Sequence, residues 1–230
     1  MRVALFTYNY IPLSVYGVER HNERLASYLS SKGHFTMIFT RGHHNLSGNQ
    51  FINIGSVVYR TPSVSLPQGR RLKWLIPILE YTLFSLFLAP RLIKKFDVHV
   101  LYGNGSYYGG WQAALASAVS KRPLVVVIHG SGVDYYRHHS KLPMMYYFLR
   151  RASAIIVQKT SAISVLTSWG ISKEKIFYVE EGAIDTDKFK PLDKGQSDMF
   201  YIAFVGRLIK FKDPEVLLDA APLILREKPN

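Results

Sequence analysis

Short apolar runs alternate with helix-like stretches along most of this chain, and no other feature constrains its fold as tightly. The runs fall at Val3–Thr7, Phe35–Thr40, Val57–Arg60, Asp97–Tyr102, Leu124–Ile128, Ala154–Val157 and Ile176–Val179, and most of them are rich in β-branched or aromatic side chains. Between them lie Val18–Leu29, a long apolar stretch around residues 73–94, Trp111–Ser120, residues 142–152 and Ser161–Trp169, all of helical composition. Strands apolar on both faces and separated by helices form parallel sheets covered on both sides. The expected fold is therefore α/β, a doubly wound Rossmann-like parallel sheet. Leu124–Ile128 is the most β-branched run and is expected at the sheet centre. Gly33 and Gly170 follow helix patterns at the position where a left-handed residue ends a helix.

A second unit is expected to begin after a linker. Asp187 to Ser197 holds Pro191, Gly195 and several charges. Beyond it, Phe200-Tyr201-Ile202-Ala203-Phe204-Val205 has the pattern of a buried strand. Gly206, the basic residues Arg207, Lys210 and Lys212, and Asp213-Pro214 follow as a turn, a loop and a helix start. The expected boundaries are 1–186 for the first domain, 187–198 for the linker and 199–230 for the start of a second. One strand and one helix cannot cover both faces of a sheet, so the remainder of that second domain is expected elsewhere.

Charge and composition narrow the partners. The formal net charge is +13 with 29 Lys and Arg, which points to an anionic partner: a phosphorylated ligand, an acidic lipid surface or nucleic acid. The basic residues are spread along the chain with no nucleic-acid-binding motif, so nucleic acid is not expected as a partner. With no cysteine, disulfides and thiolate metal sites are excluded. The segment Trp74–Ile93 approaches the ~20 residues that span a bilayer. It contains Glu80, Pro77 and Pro90, follows Arg70, Arg71 and Lys73 and is closed by Arg91, Lys94 and Lys95, a pattern that fits a buried or membrane-surface helix better than a span.

Ligands of open α/β sheets bind beyond the carboxyl ends of the strands. Four loops fall there: Tyr8–Gly17, Gly103–Ser106, His129–Gly132 and Glu180–Asp185. His129 follows its strand directly, so its imidazole either serves as hydrogen-bond donor or acid/base at a cleft floor or is satisfied by a nearby carbonyl. Gly17 precedes a helix whose first N–H groups either meet an anion or are simply capped. Arg207 and Lys212 either hold a diphosphate or are solvated cations. The pairs His43-His44 and His138-His139 do not make a metal site, because adjacent histidines do not share a helix face and no carboxylate accompanies them. No Walker loop and no Gly-x-Ser-x-Gly elbow occurs.

Taken in order, several motifs resemble those of the group 1 (family 4) retaining glycosyltransferases of GT-B fold. They are Gly17-Val18-Glu19-Arg20-His21, Asp97-Val98-His99-Val100, His129-Gly130, and the run from Ile176 to Phe189. Phe204-Val205-Gly206-Arg207-Leu208 with Lys212, and Leu217-Leu218-Asp219-Ala220-Ala221, complete the series. The resemblance implies two Rossmann-like domains facing a cleft, the first for acceptor and the second for most of a nucleotide-sugar donor. It implies catalytic roles for Arg207 and Lys212, which would hold the donor diphosphate and make a metal unnecessary, and for His129, near the transferred sugar. It places donor contacts at Gly17, Gly130, Glu181, Gly182 and Gly206. No cofactor is expected beyond the donor itself. Expected partners are a nucleotide-sugar, a lipid-linked or glycan acceptor, an anionic membrane surface and a partner chain supplying the rest of the second domain. The expected location is the cytoplasm, or the cytoplasmic face of a membrane.

The chain departs from the family pattern in three places. Tyr16 stands where a first glycine is usual, Glu181 stands where an asparagine is usual, and the family's Glu-x7-Glu motif has no counterpart within residue 230. The resemblance therefore implies weak donor binding and poor transfer by this chain alone. The alternative reading is a non-catalytic half that binds acceptor or membrane and works with a partner polypeptide.

Overall fold

In the computed structural model, residues 1–43, 46, 48–53, 55–63, 75–105, 107–129, 143–180, 184, 186–191 and 201–228 are described. They divide into two units, Met1–Ala183 and Ile184–Asn230.

The first unit is built on one sheet of eight strands: β1 (Arg2–Phe6), β2 (Phe35–Thr40), β3 (Gly48–Asn53), β4 (Ser56–Arg60), β5 (Val100–Asn104), β6 (Leu124–Ile128), β7 (Ala154–Val157) and β8 (Ile176–Tyr178). Their spatial order is β3-β4-β2-β1-β5-β6-β7-β8. All neighbours pair parallel except β3, which pairs antiparallel with β4 at the edge. The doubly wound parallel sheet expected from the sequence is present.

Helix α1 (Gly17–Ser31) follows β1 and packs on β2 and β4. Its residues Glu19, Asn22 and Ala26 are buried, spaced as one helical face. Leu5, Tyr10, Ala26, Ile38 and Val58 form the smaller core. The other helices are α2 (Leu75–Phe87), α3 (Ala89–Lys95), α4 (Tyr107–Ser120), α5 (Pro143–Arg151) and α6 (Ser161–Ser168). They enclose the larger core, in which Ala113, Ala114 and Ala116 of α4 let that helix lie close to β5, β6 and β1.

Gly33 and Gly170 end their helices as expected, at φ +74° and +77°. At Gly33 the amide donates to the Ser30 carbonyl and the His34 amide to the Leu29 carbonyl, which satisfies two otherwise orphaned carbonyls.

Three expectations need correction, and one strand is additional. The 73–94 stretch is two helices bent by 42° rather than one, because Pro90 has no N–H to give and its ring crowds the carbonyl four residues back. Among the described residues no single helix is long and apolar enough to cross a membrane. β6 is not central; β1 and β5 are, since an apolar run reports burial on both faces and not position in the sheet. The edge strand β3 went unforeseen, because Gly-Asn-Gln-Phe-Ile-Asn carries no clear alternation. In the second unit, residues 201–205 form no strand. Among the described residues they have no neighbouring strand to complete a hydrogen-bond ladder, and Tyr201 and Val205 are 76% and 95% exposed.

That second unit contains a 3-10 turn at Lys210–Lys212 and helix α7 (Pro214–Glu227). Pro214 takes the first helical position as expected. Asp213 precedes it in the left-handed region at φ 47°, with no side-chain cap bond.

Candidate functional site

The seven parallel strands deliver their carboxyl ends to one rim, and His129 stands on it as the first residue after β6. The pairing of Ile128 with Val157 sets His129 beside Gln158, the first residue after β7. His129 Nδ1 lies 2.9 Å from Gln158 Oε1, so the Nδ1–H donates to the carboxamide oxygen. That bond selects the tautomer and leaves Nε2 as the acceptor nitrogen of the neutral ring.

From the other side α1 brings His21, whose ring meets that of His129 edge to face at 5.2 Å between centroids. His21 Nε2 is 3.4 Å from Tyr102 Oη on β5. Burial holds the Tyr102 phenol well above its ordinary pKa, so it remains protonated and donates to the imidazole. One connected group, Tyr102–His21–His129–Gln158, therefore crosses β5, β6 and β7 at the sheet's carboxyl end.

Two carboxamides add polar capacity. Asn104, the last residue of β5, is fully buried, and neither its oxygen nor its nitrogen has a hydrogen-bond partner among the described residues. Asn22 on α1 is 1% exposed, and its two side-chain polar atoms stand in the same position. Buried amides are nearly always paired, so each of these is a place where polar bonding is still to be satisfied. The chain turns sharply here. At Gly105 an added Cβ would collide with the Val127 carbonyl oxygen, so only glycine lets the end of β5 approach β6 this closely.

Gly17 opens α1, with Tyr16 before it exposed and supplying no side-chain cap. A Cβ at Gly17 would meet nothing within 4 Å, so the chain's own packing does not require glycine there. Further along the rim, Arg41 lies over the Tyr8 ring at 4.7 Å and its Nε donates to Asn9 Oδ1 at 2.9 Å. Arg60, at the end of β4, is 1% exposed and donates to the Ile11 carbonyl. Burial lowers its pKa and raises that of neighbouring Tyr10 to about 12.

The remaining expected residues are placed separately. Gly206, Arg207 and Lys212 lie within seven residues of one another in the second unit, in a bend and the 3-10 turn, and both cations are solvent-exposed. Gly130, Glu181 and Gly182 lie outside the described residues, as do His44, His138 and His139. No group of three or more metal-ligating side chains occurs among the described residues. Asn104 belongs to the Gly103–Ser106 rim loop expected from the sequence, whereas Gln158 belongs to none of the expected loops. The signal available was positional, since Asn104 closes a strand at the rim and Gln158, like His129, follows one.

This chain is 24% identical over 222 residues to a phosphatidylinositol N-acetylglucosaminyltransferase component of Arabidopsis thaliana, a match that takes in 93% of this chain and 47% of that protein. It thus spans about half the length of the curated relative it matches. Among solved structures it is similar to sucrose-phosphate synthase from Thermosynechococcus elongatus, with a TM-score of 0.62, 16% identity, and 83% of this chain and 50% of that one covered. It is also similar to Anabaena HepE in complex with UDP and glucose, with a TM-score of 0.62, 18% identity, and 96% and 57% covered. At such identities these two likenesses speak to fold. The model of Glycosyltransferase Family 4 matches residues 15–188, which include α1, the whole β5–β8 half of the sheet and His129. The chain belongs to glycosyltransferase family 4, and its sheet is the Rossmann-like sheet of the GT-B fold.

Proposed function

We propose that this chain is the acceptor-side portion of a glycosyltransferase that moves a sugar from a nucleotide-sugar to a lipid-linked or glycan acceptor, with retention of anomeric configuration, at the cytoplasmic face of a membrane. The observation that carries the reading is the placement of His129 in a polar network at the carboxyl end of the sheet, inside the segment that matches the family. The Arabidopsis relative is named for transfer of N-acetylglucosamine to phosphatidylinositol, and HepE was crystallised with UDP and glucose, which supports a nucleotide-sugar donor and a lipid acceptor here.

In this reading His129 is a catalytic residue that hydrogen-bonds the transferred sugar, held in one tautomer by Gln158. The first-turn amides of α1, opening at Gly17, meet donor phosphate at the positive end of the helix. Arg207 and Lys212 take the diphosphate charge as the bond from the anomeric carbon to the phosphate oxygen breaks and the acceptor oxygen bonds to that carbon, the acceptor hydroxyl's proton passing to the leaving phosphate. No metal is assigned a role in that step. Gly130, Glu181, Gly182 and Gly206 complete the donor contacts.

The test is a panel of UDP- and GDP-sugars offered with lipid and glycan acceptors to this chain, alone and with the remainder of a GT-B second domain supplied either in the same polypeptide or as a separate one. The expected outcome is release of nucleoside diphosphate and a retained anomer in the product, only with both parts present. An inverted product would overturn retention. Nucleotide release unchanged in Arg207→Ala would overturn the role given to the basic turn.

A further inference from the structure

Helices α4 and α5 each lead into a parallel strand, so both end at the amino edge of the sheet, opposite the rim that holds His129. The Ser117 carbonyl in the last turn of α4 joins the two ends, accepting from the Lys121 amide at 2.9 Å and from Arg151 Nη2 at 2.8 Å. Lys175 donates to the carbonyls of Arg150 and Ala152 at 3.4 and 3.2 Å, at the negative end of α5. Along α5 runs a groove of about 430 Å³ whose described lining is Tyr146, Tyr147, Arg150 and Arg151. Positions four apart on a helix are neighbours, so these residues make one face.

Rings and cations are interleaved on that face. Tyr146 and Tyr147 are 36% and 42% exposed, and the Arg150 guanidinium lies 5.2 Å from the Tyr146 ring centroid. Trp111 of α4 meets Tyr147 edge to face at 5.6 Å. Tyr, Trp and Arg are the side chains that concentrate at the energetic centres of protein interfaces. The positive charge is uncompensated. Neither α4 nor α5 contains an Asp or Glu, and neither arginine is in an ion pair among the described residues. Glu174, beside Lys175, accepts a hydrogen bond from the Ser172 hydroxyl. Arg151 Nε is buried with no acceptor among the described residues, a donor still to be satisfied. Four residues on one helix face do not enclose a small ligand, and a bilayer offers its apolar and anionic layers at different depths. A polypeptide can offer carboxylates and apolar side chains side by side, as this face requires.

We propose that this face of α5, with Trp111 of α4, docks an acidic segment of a second polypeptide, its carboxylates on Arg150 and Arg151 and an apolar side chain against Tyr146 and Tyr147. The planar guanidinium fork matches a carboxylate through two parallel N–H bonds, and the rings between the forks exclude water from those bonds. The partner is neither donor nor acceptor, and it sits at the opposite end of the strands from the rim. The surface therefore serves assembly and leaves the cleft open.

The probe is a fluorescein-labelled random copolymer of glutamate and tyrosine, titrated with the purified chain and followed by anisotropy. It should bind roughly tenfold more tightly than labelled polyglutamate of equal length, because the rings contribute beside the charges. Arg150→Gln combined with Arg151→Gln should weaken copolymer binding by roughly tenfold or more. Lys94→Gln combined with Lys95→Gln, which removes the same charge from exposed positions on α3, should change it by less than about twofold. Arg150→Glu alone keeps the test open if the Arg151 substitution misfolds, since Arg150 is exposed. Equal binding by the arginine and lysine variants, or no binding by the unaltered chain, would overturn the proposal. So would polyglutamate binding as tightly as the copolymer, which would reduce the face to bare charge. Self-association of the chain that the arginine substitutions abolish would overturn it too, by assigning the face to a second copy. Neither donor nor acceptor is present, so failure here leaves sugar transfer standing, and failed transfer leaves this surface standing.

Discussion

Tyr81 shows how much one side chain on this scaffold is asked to do. Its hydroxyl, fully buried, is 3.0 Å from the Thr7 carbonyl and 2.9 Å from that of Phe39, and so ties α2 to the ends of β1 and β2. Its ring stacks on Phe39 and meets Tyr8. Tyr81→Phe keeps the ring and leaves two buried carbonyls without that donor. A loss of about 1–2 kcal/mol in denaturant stability is expected, with little change in the slope of the unfolding curve. At this scale the site was partly legible. His129 could be read because a histidine directly after an apolar run must emerge at the rim. Gln158 could not, because its partnership with His129 depends on the register of β6 against β7, and register is a property of the paired strands and not of either one.

Elements obeyed local chemistry wherever that chemistry was self-contained. Gly33 and Gly170 ended their helices because a left-handed residue is needed there whatever surrounds it. Gly33→Ala should destabilise the first unit by about 1–2 kcal/mol, measured by chemical unfolding, since alanine at φ +74° brings its Cβ against the following carbonyl. Where an element depended on others, sequence was a weaker guide. The apolar run 201–205 has every local property of a strand and is not one, because pairing is supplied by neighbours. The stretch 73–94 has the composition of one helix, and Pro90 divides it.

The whole first unit carries a pH dependence set by its buried phenols. Tyr10, Tyr81 and Tyr102 all have pKa values raised by burial, Tyr10 to about 12. Each therefore keeps its proton in the folded state over a range where the unfolded chain, with tyrosines near 10, has lost it. The stability this represents is fully present below about pH 10 and is lost as pH rises through the folded value, at about 1.4 kcal/mol per pH unit for each such group. Denaturant titrations between pH 9 and 12 should show a steep fall, and Tyr10→Phe should flatten it by about one proton's worth. At this scale the fold was the most legible property, because alternating strands and helices leave few topologies open. The donor contacts were the least, since they were drawn from resemblance and several fall outside the described residues.

The measurement that bears most directly on the central claim is sugar transfer by the His129→Ala variant. It should be assayed beside the unaltered chain, with the remainder of a GT-B second domain supplied either in the same polypeptide or as a separate one, and with the donor and acceptor the panel identifies. His129 touches the transferred sugar in this account, so kcat/KM should fall by about a hundredfold or more while the unfolding curve stays close to that of the unaltered chain. Transfer at the unaltered rate by a folded His129→Ala chain would contradict the account, and would move the chemistry away from the rim of β6 and β7.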